Sequence, residues 1–171
     1  SGTLIIKDSK LDVTTGKMGV YAAEGIIVEN STVEVDAVGN GITADKSITI
    51  NSGKVTVVAG FYGIRSNNKD IVIFGGEVSA KSTDTENDAS YTAIAGYEGV
   101  YIAPPLIAKA SETPDGVLGE CNAPVDHYDY VYITALTYTD ITEINAGLVQ
   151  EPATDMTVTD GYTITSNPES A

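Results

Sequence analysis

The sequence predicts an all-β chain wound into a single-stranded, right-handed parallel β-helix of about five to six coils, three short strands to a coil. Three observations predict it. Apolar residues alternate with the strand period of two, three such segments recur in fixed order, and turn residues fall at matching places between them.

The first segment begins at Leu4, Ile26, Ile48, Ile71 and Val100, at intervals of 22, 22, 23 and 29 residues. The second begins seven residues later each time, at Leu11, Val33, Val55, Val78 and Ile107. The third centres on Val20, Ile42, Ile64, Ile94 and Val117, and Gly19, Gly41, Gly63 and Gly116 precede four of these. Within a segment Ile26 and Val28 share a face, as do Val33 and Val35, then Ile42 and Ala44. Asp8-Ser9, Asn30-Ser31, Ser52-Gly53 and Gly75-Gly76 occupy one corner in successive repeats, and such residues tolerate tight or positive-φ conformations.

One such circuit cannot bury its inward side chains alone. Stacking circuits about 4.8 Å apart turns each strand into a rung of a parallel sheet and fills the centre with columns of like residues. Each large aliphatic side chain so buried contributes roughly 1.5–3 kcal/mol. A third column, Ala22, Ala44, Ser66, Gly96 and Gly119, is uniformly small and predicts a narrow corner. The period exceeds the roughly 18 residues of a hexapeptide-built coil, and parallel crossovers favour the right hand.

From Leu4 to about Gly119 this pattern resembles the pectin-lyase-like β-helix family, in particular repeat regions of bacterial secreted and cell-surface proteins, some adhesin-like or carbohydrate-binding. The resemblance implies an extracellular, cell-surface location and a carbohydrate polymer or a host or cell-surface protein as partner. It speaks to architecture more than to activity.

Composition narrows the partners. The net charge is −15 with nine Lys plus Arg, and Arg65 is the sole arginine. Such a chain repels phosphate backbones, which argues against nucleic acid and anionic membranes. No apolar run reaches membrane-spanning length. Cys121 is the one cysteine, so an internal disulfide is excluded. The chain starts Ser1-Gly2 without Met, which suggests processing or excision from something longer.

The expected organisation is a β-helix over 1–133, with 134–171 as a C-terminal cap and loose tail of the same domain. Tyr130-Val131-Tyr132-Ile133 is read as the start of one last rung, and MTVTDGYTIT as a hairpin turning at Asp160-Gly161. The N-terminal rung has no comparable cover, so a homodimer contact, neighbouring repeats or a fragment boundary is expected there. Outward residues of the first strand, Ile5, Ile27, Thr49, Val72 and Tyr101, form a largely apolar stripe. The tail is expected to fold over it, a partner or homodimer interface being the alternative.

Two insertions break the repeat, STDTENDASY (82–91) and ECNAPVDHYDY (120–130). Loops that leave a rigid repeat are common mounts for binding groups. Register places Phe61 and Tyr62 one coil below the first insertion, so that Phe61, Tyr62 and Tyr91 would gather beside Asp84, Glu86 and Asp88. Exposed rings beside polar groups suit a sugar, with Tyr128 and Tyr130 next in rank. Asp84, Glu86 and Asp88 alternate oxygen donors in the manner a calcium ion needs, without the EF-hand glycine and final glutamate.

Catalytic signals are weaker. The Gly-His-Gly and Arg-x-Lys motifs of polygalacturonases are absent, Arg65 reads as a solvated rung residue, and His127 as an exposed loop imidazole. No catalytic residue is assigned. Asn30-Ser31-Thr32 matches a glycosylation acceptor but sits at a repeat corner where Asn and Ser are expected anyway. The leading reading is a non-catalytic, adhesin-like or carbohydrate-binding module. A polysaccharide lyase or hydrolase and a structural spacer are the alternatives.

Overall fold

A computed structural model describes residues 2–84 and 91–136, together with the backbone of two short strands, 158–159 and 162–163. The chain divides into two compact units, Ser1–Ala135 and Leu136–Ala171.

In the first unit the predicted segments are strands. The first coil holds β1 (Leu4–Lys7), β2 (Lys10–Thr15) and β3 (Val20–Ala22); the second, β4 (Ile26–Glu29), β5 (Ser31–Ala37) and β6 (Ile42–Ala44). The third holds β7 (Ile48–Ile50), β8 (Gly53–Ala59) and β9 (Ile64–Ser66); the fourth, β10 (Ile71–Ile73), β11 (Glu77–Ser82) and β12 (Ile94–Gly96). After them come β13 (Val100–Ile102), β14 (Leu106–Ser111), β15 (Gly119–Glu120) and β16 (Tyr130–Ala135). Three sheets run up the solenoid, ordered β1-β4-β7-β10-β13, β2-β5-β8-β11-β16-β14-β15 and β3-β6-β9-β12.

The columns are in register. Ile26 pairs Leu4 and Ile48, and Ile71 pairs Ile48 and Val100. Val33 pairs Leu11 and Val55, and Val55 pairs Val78. Ile42 pairs Val20 and Ile64, which pairs Ile94. Burial is complete mid-stack, with Val33, Val55, Ile64, Ile71 and Val78 wholly enclosed. At the N-terminal rung Leu4 is exposed and Leu11 and Val13 are half-buried.

Corner chemistry follows the turn residues. Asp8 and Asn30 adopt φ of 49° and 45°, and Asn30 Nδ2 donates to Asp8 Oδ1 at 2.7 Å. Asn and Asp are the non-glycine residues most at ease in that region. Gly53 and Gly76 take the same corner at φ of 101° and 91°. At the next corner Gly41 is required for space: a Cβ there would collide with Val57 Cγ1 and the Gly63 carbonyl oxygen.

The solenoid has about four complete coils, fewer than five to six, and the departure is in the fifth. Strand β13 continues the first sheet, but β14 does not stack on β11. Instead β16 lies between them and runs antiparallel to both. The assignment of Tyr130–Ile133 to a last parallel rung is therefore corrected. Val78 is covered by Ile133, and Ala80 by Val131, both wholly buried. Ile107 leaves its predicted column: it pairs Thr134, while Ala108 pairs the inward Ile133. The reason lies in the side chains. The register puts the small Ala108 and Ala110 inward on β14, whereas β16 offers two β-branched residues to the open end of the core. Val117 is 95% exposed and Gly119 pairs Ala110 in β15, so neither extends the third sheet.

The apolar stripe on the first sheet has Ile5 and Tyr101 exposed at its ends and Ile27, Thr49 and Val72 half-buried between them. In the second unit β17 (Val158–Thr159) and β18 (Tyr162–Thr163) pair antiparallel, Val158 with Thr163 and Thr159 with Tyr162. That is the register of the expected hairpin; its turn, Asp160-Gly161, and the rest of the tail lie outside the described residues.

Polar ties also link the coils. Asp45 accepts from the Tyr21 hydroxyl at 2.5 Å and from Asn67 Nδ2 at 2.9 Å, joining three successive coils. The Tyr21 hydrogen bond, followed by that from Asn67, holds the Asp45 carboxyl below the usual carboxylate range.

Two outcomes test this architecture. Gly41→Ala should lower the denaturant midpoint by the equivalent of about 1–3 kcal/mol, the range for overpacking. Gly16→Ala, with open space around the added methyl, should leave it nearly unchanged. Because the folded Asp45 pKa lies below its unfolded value, its contribution is present above the unfolded pKa and lost as pH falls through the folded one. Asp45→Asn should accordingly flatten the acid limb of a melting-temperature profile, most clearly below about pH 4.

Candidate functional site

The second-to-third strand connection is four residues long in each of the first three coils, and in coil three Gly60-Phe61-Tyr62-Gly63 rounds the corner between β8 and β9. Backbone bonds fix it on the coil below: Gly60 N–H donates to the Ala37 carbonyl at 2.9 Å and Phe61 N–H to that of Gly39 at 3.2 Å. A Cβ on Gly60 would run into the Val38 carbonyl, so the close approach depends on glycine. Phe61 and Tyr62 cannot retract into the core and project from the corner instead. Phe61 is 42% exposed and Tyr62 half-buried.

The coil above brings Tyr91 to them. Thr83 N–H donates to the Ala59 carbonyl at 2.8 Å as the first insertion leaves, and Gly63 N–H donates to Thr92 at 3.2 Å as it returns. Tyr91 then stacks on Phe61 with ring centroids 4.8 Å apart and planes 24° apart. It meets Tyr62 edge-on at 5.1 Å and 86°. The predicted three rings therefore do come together. Of the acidic residues expected beside them, Asp84 is half-buried just past β11, while Glu86 and Asp88 lie outside the described residues. Among the described residues no group of three His, Cys, Asp or Glu side chains could hold a metal ion.

Arg65 completes the group, and the sequence reading missed it. It stands on the outer face of β9, half-buried, with its guanidinium carbon 4.2 Å from the Tyr62 ring centroid. The Tyr62-Gly-Ile-Arg65 spacing was the available signal, since an outward strand residue just past a corner can lie back over it. Two depressions adjoin the rings. One, of about 370 Å³, runs down the corner past Phe61, Val38, Asn40, Met18 and Lys17. The other, of about 130 Å³, lies between Tyr62, Arg65, Asn67 and the exposed Tyr97.

The second insertion reaches the same corner. Asp129 accepts from Ser82 N–H through its carbonyl and Tyr128 likewise from Ala93 N–H, both at 2.8 Å. Tyr128 is buried, and its hydroxyl accepts from the Asn122 and Ala123 N–H groups at 3.0 Å each. Its ring belongs to the core, where it supports the loop; it is not part of an exposed platform. Tyr130 is half-buried on β16 beneath Lys81 Nζ, 4.5 Å from the ring centroid. Among the described residues no ring contact joins either tyrosine to the other three. His127 is exposed against Asp126, and burial pushes the Cys121 thiol pKa up, away from reactivity. Burial, then Glu112, raises the Asp129 carboxyl.

A double-mutant cycle tests the ring stack. Phe61→Ala and Tyr91→Ala should couple by about 0.5–1.5 kcal/mol in unfolding free energy, as stacked aromatic pairs do beyond their buried area. Additive losses would show the rings to be independent.

A family model described as carbohydrate-binding domain-containing protein matches residues 1–169. No curated protein and no solved structure matches the chain. With nearly every residue inside that match, and rings, guanidinium and shallow depressions at one corner of a β-solenoid, the chain belongs to the family of carbohydrate-binding domain-containing proteins.

Proposed function

We propose that this chain is a non-catalytic carbohydrate-binding module, acting outside the cell at a cell surface in adhesion, and that its binding platform is the Phe61–Tyr62–Tyr91 corner. The observation that carries the reading is the ring cluster itself, three aromatic side chains fixed by interstrand register with Phe61 open to solvent. Ring faces match the apolar faces of sugars, and neighbouring amide, hydroxyl and cationic groups hold sugar hydroxyls. The longer depression offers an apolar side chain from each of three coils, Met18, Val38 and Phe61. Coils repeat every 4.8 Å or so, close to the length of one sugar unit, so an extended glycan would meet a fresh contact at each rung.

Glycoside hydrolysis uses a pair of carboxyl groups across the scissile bond. Neither depression is lined by a carboxylate among the described residues, which favours retention of an intact glycan over its cleavage. The extracellular setting is supported by the acidic surface and by the likeness of the repeat to cell-surface β-helices.

A glycan array followed by calorimetric titration tests the proposal. The chain should bind at least one glycan class, and Phe61→Ala or Tyr91→Ala should weaken it about tenfold, equivalent to about 1.4 kcal/mol. Absence of binding across a broad array would overturn it, and release of shortened glycan products would replace it with an enzymatic reading.

A further inference from the structure

The distribution of ion pairs points to the kind of sugar. Lys7, Lys10, Lys46, Lys54, Lys69 and Lys81 each pair a carboxylate, as a chain of charge −15 makes easy. Lys109 is engaged as well. Among the described residues that leaves two side-chain cations without a carboxylate partner, Lys17 and Arg65. Both flank the ring cluster: Lys17 lines the depression that ends at Phe61, and Arg65 lines the one that begins at Tyr62.

Carboxylates outnumber cations by 24 to nine, so a chance arrangement would place an acid near both. Arg65 is instead laid on an aromatic face at 4.2 Å. A guanidinium over a ring face keeps its charge, and its N–H groups can match a carboxylate with two parallel hydrogen bonds. Beside it in the same depression stand the Tyr97 ring, 75% exposed, and the Asn67 amide, whose Nδ2 also donates to Asp45 at 2.9 Å. A cation, an amide and a ring face are what a sugar acid needs.

Resting on the carbohydrate-binding reading above, we infer that the Tyr62–Arg65–Asn67–Tyr97 depression selects a sugar bearing a carboxylate, held by the Arg65 guanidinium within an otherwise neutral glycan. The neutral remainder follows from charge. A uniform polyanion would meet the field of a −15 chain along its whole length, whereas one carboxylate meets mainly Arg65, since screening at physiological salt cuts distant charges off beyond about 8 Å.

The experiment compares an oligosaccharide carrying a single uronic acid with its carboxyl-reduced, neutral counterpart, titrated into the full chain at 0.15 M salt. A sulfated counterpart distinguishes carboxylate from anions in general. The wild-type chain should prefer the uronate at least tenfold over both. Arg65→Gln should remove that preference, bringing uronate and neutral sugar to within twofold of each other, whereas a merely structural role for Arg65 would weaken both and leave their ratio unchanged. Arg65→Lys keeps a cation over Tyr62 but lacks the fork, and should retain only part of the preference; it also serves if Arg65→Gln fails to fold. Equal affinity for uronate and neutral sugar, with Phe61→Ala still weakening both, overturns this inference and leaves the ring platform intact. Preference for the sulfated form overturns the carboxylate assignment. Binding of none of the three overturns this inference, and with silence across the array the platform as well.

Discussion

In-register parallel stacking is the constraint on which the rest of this protein depends. Each coil repeats the same inward residues at the same distance along the chain, so the interstrand hydrogen bonds that set Ile26 over Leu4 also set Ile48 over Ile26 and Ile71 over Ile48. A one-residue slip would turn those side chains to solvent. The glycine ahead of the third strand belongs to the same constraint, because only a residue without Cβ lets the Gly41 corner pass beneath Gly63 and against Val57. Surface ion pairs between coils, such as Lys7 with Glu29, follow from the stack and add little to it.

The proposed platform stands where the stacking is disturbed. Inserting residues between β11 and β12 leaves both strands in register, since Ser82 still pairs Ala59 and Ile94 still pairs Ile64. The added length can then only leave the corner and return, and it returns carrying Tyr91 onto Phe61 and Tyr62. Three rings meet because the corner that carries two of them is hydrogen-bonded to the coil below. As the platform proposed above, a surface made this way would need no conformational adjustment to assemble, which lowers the entropic cost of engaging a flexible polymer.

The four lower coils and the aromatic trio were legible in the sequence because both follow from counting: strict alternation, a period of 22 or 23, and a corner shared by Phe61 and the first insertion. What was not legible depends on competition between segments far apart. Leu106–Ser111 and Tyr130–Ala135 both have strand character, and nothing local says which one covers β11. Bulk decides it, since Val131 and Ile133 fill the end of the core better than Ala108 and Ala110. Tyr128 was misread for a related cause: an aromatic in a loop looks exposed until the loop is seen to lie back on the rung beneath it. Arg65 was counted as a solvated rung residue because charge alone was weighed, and the ring it rests on lies around the corner, outside its own strand.

The reversal of direction at β16 makes the two ends of the solenoid unlike. A parallel stack can in principle accept another identical layer without limit, as fibrous assemblies do. Here the middle sheet meets a strand of opposite sense on one side, so a further copy of the repeat finds no matching template in that sheet. On the other side β1, β2 and β3 keep the parallel pattern, with Leu4 still uncovered. Layer addition in the parallel sense is therefore barred in the middle sheet above β11, where β16 has reversed the direction.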